Sequence, residues 1–344
     1  MRILYGIQGT GNGHLSRART LLPELRKFAE VDVLISGNNH TVPSSIKPDY
    51  QSPGLSYTFG QDGGISVIDT ICNLRPVHFV KDIYQLPVAS YDGIISDFDP
   101  VTSRAAYLSG VPSIGISHQA SFLSGKVPRP KSKKWFPELL FSRFARCDRN
   151  IGLHYRNYDD HIFTPIIRPE IRKSHVSRQD HITVYHPAYL PETIAESARQ
   201  FTELNWHIFS RMIDYPRQEG HLFFYPANPG SFARSMASSS GLITAGGFET
   251  TAEALHLGKR LMVIPMKGQY EQQCNGAALS EFGAVLRDDF NGNLTDQIKR
   301  WMALPEPDPQ NYPEVRGEIV QVIMNTLEII KRSKTYRPGE QIPL

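Results

Sequence analysis

Short apolar runs recur along the chain, closed by glycine, proline or a polar cluster and separated by segments with apolar residues at helical spacing. Ile3-Leu4-Tyr5-Gly6-Ile7 reads as a buried strand. The polar loop Gln8-Gly9-Thr10-Gly11-Asn12-Gly13-His14 follows, then an amphipathic helix to about Phe28. Val31 to Ile35, Ser56 to Gly60, Asp92 to Asp97 and Ser113 to Ile116 read as strands. Gly63-Gly64 reads as a turn, about Asn73 to Gln85 as a helix, and Pro100 opens another. Between Asn157 and Asp180 the apolar period lapses. It resumes with Ile182-Thr183-Val184-Tyr185 and strands at Trp206 to Phe209, Leu222 to Tyr225, Leu242-Ile243, Leu261 to Ile264 and Ala284 to Leu286. A last helix, Glu314 to Arg332, carries Val315, Ile319, Ile323, Met324, Leu327 and Ile330 on one face. Strand and helix alternate in both halves, which predicts an α/β chain with parallel sheets and right-handed crossovers. At 344 residues the chain exceeds one ordinary core. We read 1–160 and 181–312 as domains, 161–180 as a linker, and 313–344 as a closing helix and tail.

Composition narrows the classes. A net charge of +3 argues against a dedicated nucleic-acid binder. Cys72, Cys147 and Cys274 are far apart and lack metal spacing, which suits a reducing cytosol. Met1-Arg2 leads straight into a strand, and no apolar run approaches the eighteen residues of a spanning helix, so the expectation is a soluble cytoplasmic protein. Lys126 to Arg149 changes that picture. Lys126, Arg129, Lys131, Lys133 and Lys134 precede Trp135-Phe136, and Leu139-Leu140-Phe141 and Phe144 follow among Arg143 and Arg146. Such a segment suits peripheral contact with an anionic membrane at its inner face. The alternative is a basic loop before an ordinary helix whose Phe and Leu face the core.

The densest candidate chemistry lies between Ile243 and Ala277. Gly246-Gly247 at the mouth of a helix beginning near Phe248 let an anion approach the free N–H groups of a first turn, where phosphate is favoured. Glu253, within that helix, is placed to accept two hydrogen bonds from a vicinal diol such as a ribose. Gln272 and Gln273 offer paired amides to sugar hydroxyls. Together they suit a nucleotide sugar. The glycine loop before His14 also suits phosphate, but its glycines lack the G-x-G-x-x-G spacing, and the second strand ends in Ser36-Gly37-Asn38-Asn39 where a ribose-binding acid belongs in a dinucleotide site. Asp97 and Asp99 stand at the carboxyl end of one strand and His118 at that of the next, where open α/β sheets place ligand groups.

The run Gly-Gly, Glu253, Gly258, Pro265 and Gln272-Gln273 resembles the donor segment of GT-B glycosyltransferases, in particular the MurG-like and UDP-glycosyltransferase-like superfamily of family 1 or 28 type. The resemblance extends in layout over nearly the whole chain. Its specific motifs are Gly9 to His14 and Gly246 to Gln273. The plant version begins His-Cys-Gly and has a Trp; Ala245-Gly246-Gly247-Phe248 stands here instead, so the resemblance does not by itself carry over the plant-type uracil contacts.

The resemblance implies two Rossmann-like domains facing across a cleft, with a nucleotide-sugar donor (a UDP-sugar such as UDP-N-acetylglucosamine) and no permanent cofactor or metal. Gly246, Gly247, Phe248, Glu253, Gln272 and Gln273 would bind the donor, with contributions from Gly11 and Gly13 and a phosphate contact from His186; Asn228 to Ser240 would face the base, near Phe232. His14 would be the general base toward an acceptor hydroxyl, or else a cap or phosphate contact, with Asp97 or Asp99 orienting it. His118 is a second candidate for base or acceptor contact, or a core histidine. Arg75, His78, Lys81 and Tyr84 would face an acceptor with negative groups, unless they form a solvated face. The implied activity is inverting transfer to a glycolipid or cell-envelope glycan. Alternatives are a nucleotide-sugar epimerase on the same fold and a non-catalytic nucleotide-sugar-binding protein.

Overall fold

Two seven-stranded sheets grow from the alternation of apolar strand and amphipathic helix. The computed structural model describes residues 1–37, 46–55, 76–290 and 294–335. The expected strand Ser56 to Gly60, the Gly63-Gly64 turn and Arg75 lie outside them.

The first half runs β1 (Arg2–Gln8), α1 (Asn12–Leu25), β2 (Glu30–Ser36), β3 (Tyr50–Ser52), α2 (Pro76–Gln85), β4 (Gly93–Asp97), α3 (Pro100–Ser109), β5 (Ser113–Ser117), α4 (His118–Ser121), α5 (Trp135–Arg143), β6 (Arg149–Leu153) and β7 (Ile162–Phe163). A short helix α6 (Pro169–Arg172) leads to the second half: β8 (His181–Tyr185), α7 (Pro191–Ala198), β9 (Asn205–Ser210), β10 (Arg217–Glu219), β11 (Leu222–Pro226), α8 (Pro229–Ser238), β12 (Gly241–Thr244), α9 (Phe248–His256), β13 (Arg260–Val263), α10 (Tyr270–Leu279), β14 (Val285–Leu286), α11 (Leu294–Ala303) and α12 (Arg316–Thr335).

The first sheet has the order β3-β2-β1-β4-β5-β6-β7, parallel at every described pairing. The second is ordered β10-β11-β9-β8-β12-β13-β14, and among its described pairings only the β10–β11 hairpin is antiparallel. Central strands β4, β5, β12 and β13 are buried along their whole length, as parallel strands covered on both faces must be. β7 lies inside the stretch read as linker, yet it pairs with β6 and completes the first sheet.

Several boundaries follow from local physics. Helix α1 stops at Leu25, short of Phe28, because the Glu30 N–H is already committed to the Met1 carbonyl at 3.0 Å and the chain must turn before it. Gly258, at φ +67°, ends α9 in the left-handed conformation that glycine adopts without penalty. Helix α12 returns to the first sheet: Leu327 fills the space beside Gly93, Lys331 pairs with Asp92 at 2.6 Å, and Lys334 pairs with Asp148 at 2.7 Å. One continuous apolar core joins α1 (Leu21, Leu25), α9 (Phe248, Leu255) and α12 (Ile319, Ile323). The two sheets are therefore held on a shared seam.

Candidate functional site

Both sheets reverse strand order at their centres, β1 against β4 in the first and β8 against β12 in the second. Ligand crevices open beyond the carboxyl ends at such points. In the first sheet that position holds the loop leading to His14, and Asp97, the last residue of β4. In the second it holds the loop to Gly247 and the start of α9.

His14 and Asp97 meet there. His14 Nδ1 lies 2.6 Å from Asp97 Oδ1, and Arg17, one turn along α1, places Nε 2.8 Å from Oδ2 and Nη2 2.6 Å from Oδ1. A carboxylate only accepts, so with Nδ1–H given to Asp97 the lone pair sits on Nε2, and Arg17 Nη2, 2.9 Å from Nδ1, donates to Asp97 Oδ1 rather than to the ring. Burial alone would raise Asp97, but Arg17 and His14 together hold it below the usual carboxylate range. Phe98, between the two aspartates, has φ +52°, a costly conformation for a bulky residue. That twist sends the aspartates in opposite directions. Asp99 is the N-cap of α3: it accepts from the Thr102 N–H at 2.7 Å, the Thr102 hydroxyl at 2.6 Å and the Ser36 hydroxyl. Its hydrogen bonds do not include His14: of the two aspartates expected to orient that ring, Asp97 meets it and Asp99 caps a helix.

The other two histidines are spent elsewhere. His118 is buried between the domains, with Nδ1 2.8 Å from the Leu153 carbonyl, Nε2 2.6 Å from Asn275 Oδ1, and its ring stacked on Phe248 at 3.9 Å. Burial pushes its pKa down to about 3. With both nitrogens engaged, it has none to receive a substrate proton. His186 is equally buried, its Nε2 2.7 Å from the Ile264 carbonyl, and burial lowers it to about 4. It ties β8 to the end of β13 and offers no donor to a phosphate. His78, Lys81 and Tyr84 are exposed on α2, whose Ile83 packs inward, and they stand away from the cavity described next.

A cavity of about 520 Å³ lies between the two sheets. One wall is Asn12, Gly13, Ser16 and Arg19 of α1; the other is Gly247, Phe248, Glu249 and Glu253 of α9. Tyr185, Phe209 and Phe232 supply aromatic surface beside Asn228, the N-cap of α8, and Arg168 and Arg211 add cations. Glu253 is buried and held by Arg168 at 2.5 and 2.7 Å; burial raises its pKa, partly offset by that guanidinium. Gly247 caps α9 without a side-chain bond to the first-turn N–H groups, leaving that end open to a ligand. Gly246, at φ +84°, packs on Val263 and beside the Gln272 carbonyl, and Gln272 turns its Oε1 to the Met266 N–H at 2.9 Å. Gln272 and Gln273 do not line the cavity, nor do Gly11, His14 and Asp97. No cluster of three metal-type side chains occurs among the described residues, and no helix there is long and apolar enough to cross a membrane.

Sequence reasoning missed Arg17, Arg19, Arg168, Arg211, Glu249 and Glu271. Two of these left a signal. Arg17 follows His14 by three residues and so shares its helix face. Glu249 puts a carboxylate in the first turn of a helix read as an anion site, a conflict that calls for a nearby cation. Glu271 is half-buried, accepts from Gln119 Nε2 at 2.9 Å and exerts its field on His14; desolvation raises it.

Two parallel α/β domains, with a cavity between the carboxyl edges of their sheets, define the GT-B architecture. The chain belongs to glycosyl transferase family 1, whose model matches residues 1–302. Its fold is similar to Acinetobacter baumannii MurG (13% identity, 96% of this chain and 99% of that one, TM-score 0.54). It is also similar to Arabidopsis thaliana UGT89C1 complexed with UDP-L-rhamnose (15%, 97% and 99%, 0.58) and to the glycotransferase of kitacinnamycin (15%, 97% and 97%, 0.57). No curated protein matches the chain.

Proposed function

We propose that this glycosyltransferase moves a sugar from a UDP-sugar, such as UDP-N-acetylglucosamine, to a hydroxyl of a glycolipid or cell-envelope glycan, with inversion. The observation that carries this reading is the cavity itself, which opens onto the N-terminus of α9 and holds Glu253, Arg19, Arg168 and Arg211 within reach of one ligand. A diphosphate suits the uncapped helix end and the arginines. The Glu253 carboxylate has lone pairs beyond the two that Arg168 uses, and these suit a ribose diol. As the acceptor oxygen bonds to the anomeric carbon, His14 Nε2 takes its proton and the nucleoside diphosphate leaves with the electron pair of the broken bond. Asp97 holds the imidazolium that results. Phe98 lies against His14 and Phe144, which continues α5, so an acceptor held along α5 is directed at the base. The exposed side chains of α5 support a membrane-bound acceptor at the cytoplasmic leaflet.

The test is a thermal-shift screen of nucleoside diphosphates and nucleotide sugars, followed by product analysis with the donor that binds. Binding to the native state raises its melting temperature. A shift of several degrees that fades in Glu253→Ala, with a product of inverted anomeric configuration, is the expected result. A product that retains the donor's configuration would overturn the single-displacement step.

A further inference from the structure

The proposed transfer gives no task to Arg17 and Glu249, although this pair joins the donor cavity to the base. Arg17 is buried, and its guanidinium is shared between Asp97, 2.6 and 2.8 Å away, and Glu249 on the facing domain. Its Nη2 also lies 2.9 Å from His14 Nδ1. One buried arginine against one aspartate makes a neutral pair, which leaves no surplus charge to stabilise a protonated His14. Glu249 changes the sum. Asp97 and Glu249 against Arg17 leave one negative charge beside the imidazole. Glu249 stands in the first turn of α9, so that charge is present only where the second domain is docked on α1. Gly13 makes room for it: a methyl group there would come within 2.7 Å of Glu249 Oε2. The last glycine of the loop is thus explained by the approach of Glu249.

We propose that Arg17 and Glu249 are positioning residues that make His14 an effective base only when the two domains are closed on each other. This rests on the transfer reading above. With the domains apart, Arg17 neutralises Asp97 alone. On closure Glu249 takes a share of the guanidinium, and Asp97 is released to support the proton that His14 removes from the acceptor. Base strength would then rise with the closure that excludes water from the donor. The other groups facing this cluster are the Tyr5 hydroxyl, 3.5 Å from Asp97 and held in its protonated form by burial, Glu271 of α10, and His118, neutral by burial.

The experiment follows the His14 ring by NMR in histidine-labelled full-length protein, assigned by its disappearance in His14→Asn. Glu249→Gln cancels the surplus charge, and the double variant Arg17→Met with Glu249→Gln restores it through Asp97. The His14 titration should move to lower pH by about one pH unit in Glu249→Gln and return toward wild type in the double variant. The acid limb of the transfer rate should move in the same order, with kcat about tenfold lower in Glu249→Gln. Should the double variant not fold, Arg17→Lys keeps the charge and must leave the titration where wild type has it. Glu249→Gln with an unmoved His14 titration and a changed donor KM would overturn the proposal and make Glu249 a donor contact. If the titrations move as stated while wild type turns over no nucleotide sugar, the charge coupling stands and the transfer reading falls.

Discussion

At the scale of the residue, the site turns on the backbone of Phe98. Asp97 and Asp99 are chemically alike, and only the left-handed Phe98 between them decides that one meets His14 and the other caps α3. The two should therefore fail differently. Asp99→Ala removes a cap worth about 1–2 kcal/mol and leaves the Ser36 hydroxyl only its distant acceptor, Gln8 Oε1 at 3.5 Å, so the melting temperature falls. The enzyme that remains folded should keep its kcat. Asp97→Asn also destabilises, since Arg17 loses a buried partner, but its signature is in turnover: at a temperature where it is folded, kcat should drop by about 10²–10⁴ with little change in donor KM. Denaturation curves with single-turnover rates separate the cases, and equal kcat losses in the two variants would refute the division of labour. The sequence showed both aspartates at a strand end but could not assign them, because a positive φ at a phenylalanine is a tertiary outcome with no local signal. His118 and His186 could not be assigned for a related reason. A strand-end histidine looks the same whether it faces a cleft or a backbone carbonyl from another element.

At the scale of the element, α5 has its polarity reversed. Its inward side carries Glu138, held by Arg129 at 2.6 Å and by the Tyr270 hydroxyl at 2.8 Å, and Phe141, stacked on Phe122 at 4.6 Å. Its outward side carries Trp135, Phe136 and Leu139, exposed by 77%, 52% and 45%. Lys131, Lys133, Lys134, Arg143 and Arg146 surround them on the exposed surface and make no ion pair among the described residues. The composition of this segment was legible, but the side that faces solvent was not, because Phe and Leu on a short helix ordinarily turn inward. An apolar strip ringed by free cations fits an anionic bilayer. Replacing Trp135, Phe136 and Leu139 together by serine should reduce sedimentation with phosphatidylglycerol vesicles by at least about tenfold and leave the melting temperature nearly unchanged, since none of the three is buried. Wild type should itself lose vesicle binding as salt rises, through screening of the lysines and arginines. Binding to neutral vesicles as strong as to anionic ones would rule out the charge contribution. The hairpin strand β10, Arg217-Gln218-Glu219, was missed because an exposed, wholly polar edge strand has no apolar alternation to read.

At the scale of the whole molecule, alternation of strand and helix sufficed to predict two parallel α/β domains, whereas the seam between them was hidden. Its polar contacts join residues far apart in sequence: His118 and Asn275 are 157 positions apart, Arg17 and Glu249 232. No periodicity links such positions. Histidines buried at that seam and within the second sheet set the response to acid. His118 is lowered to about 3 and His186 to about 4, both by burial, and His207, stacked on His181, is lowered to about 4 by burial and by its neighbour. The sign follows from proton counting. An unfolded chain protonates these rings near pH 6.5, while the folded protein refuses the protons until pH 3 to 4, so acid stabilises the unfolded state. The stability they contribute is complete above pH 6.5 and is lost as pH falls through the folded values. Each fully buried ring adds a slope of about 1.4 kcal/mol per pH unit across its own window. Glu253 and Glu271, raised by burial, act in the opposite sense: their contribution weakens as pH rises above the ordinary value of 4.5, so they partly offset the histidines in the upper part of that window. Melting temperature should therefore fall steeply from pH 6.5 toward pH 4. His186→Gln, which removes one titrating ring and keeps a donor for the Ile264 carbonyl, should make the fall shallower. A curve of unchanged steepness in that variant would mean the acid response arises outside the buried histidines, in carboxylates such as Asp97 that lose their partners at lower pH.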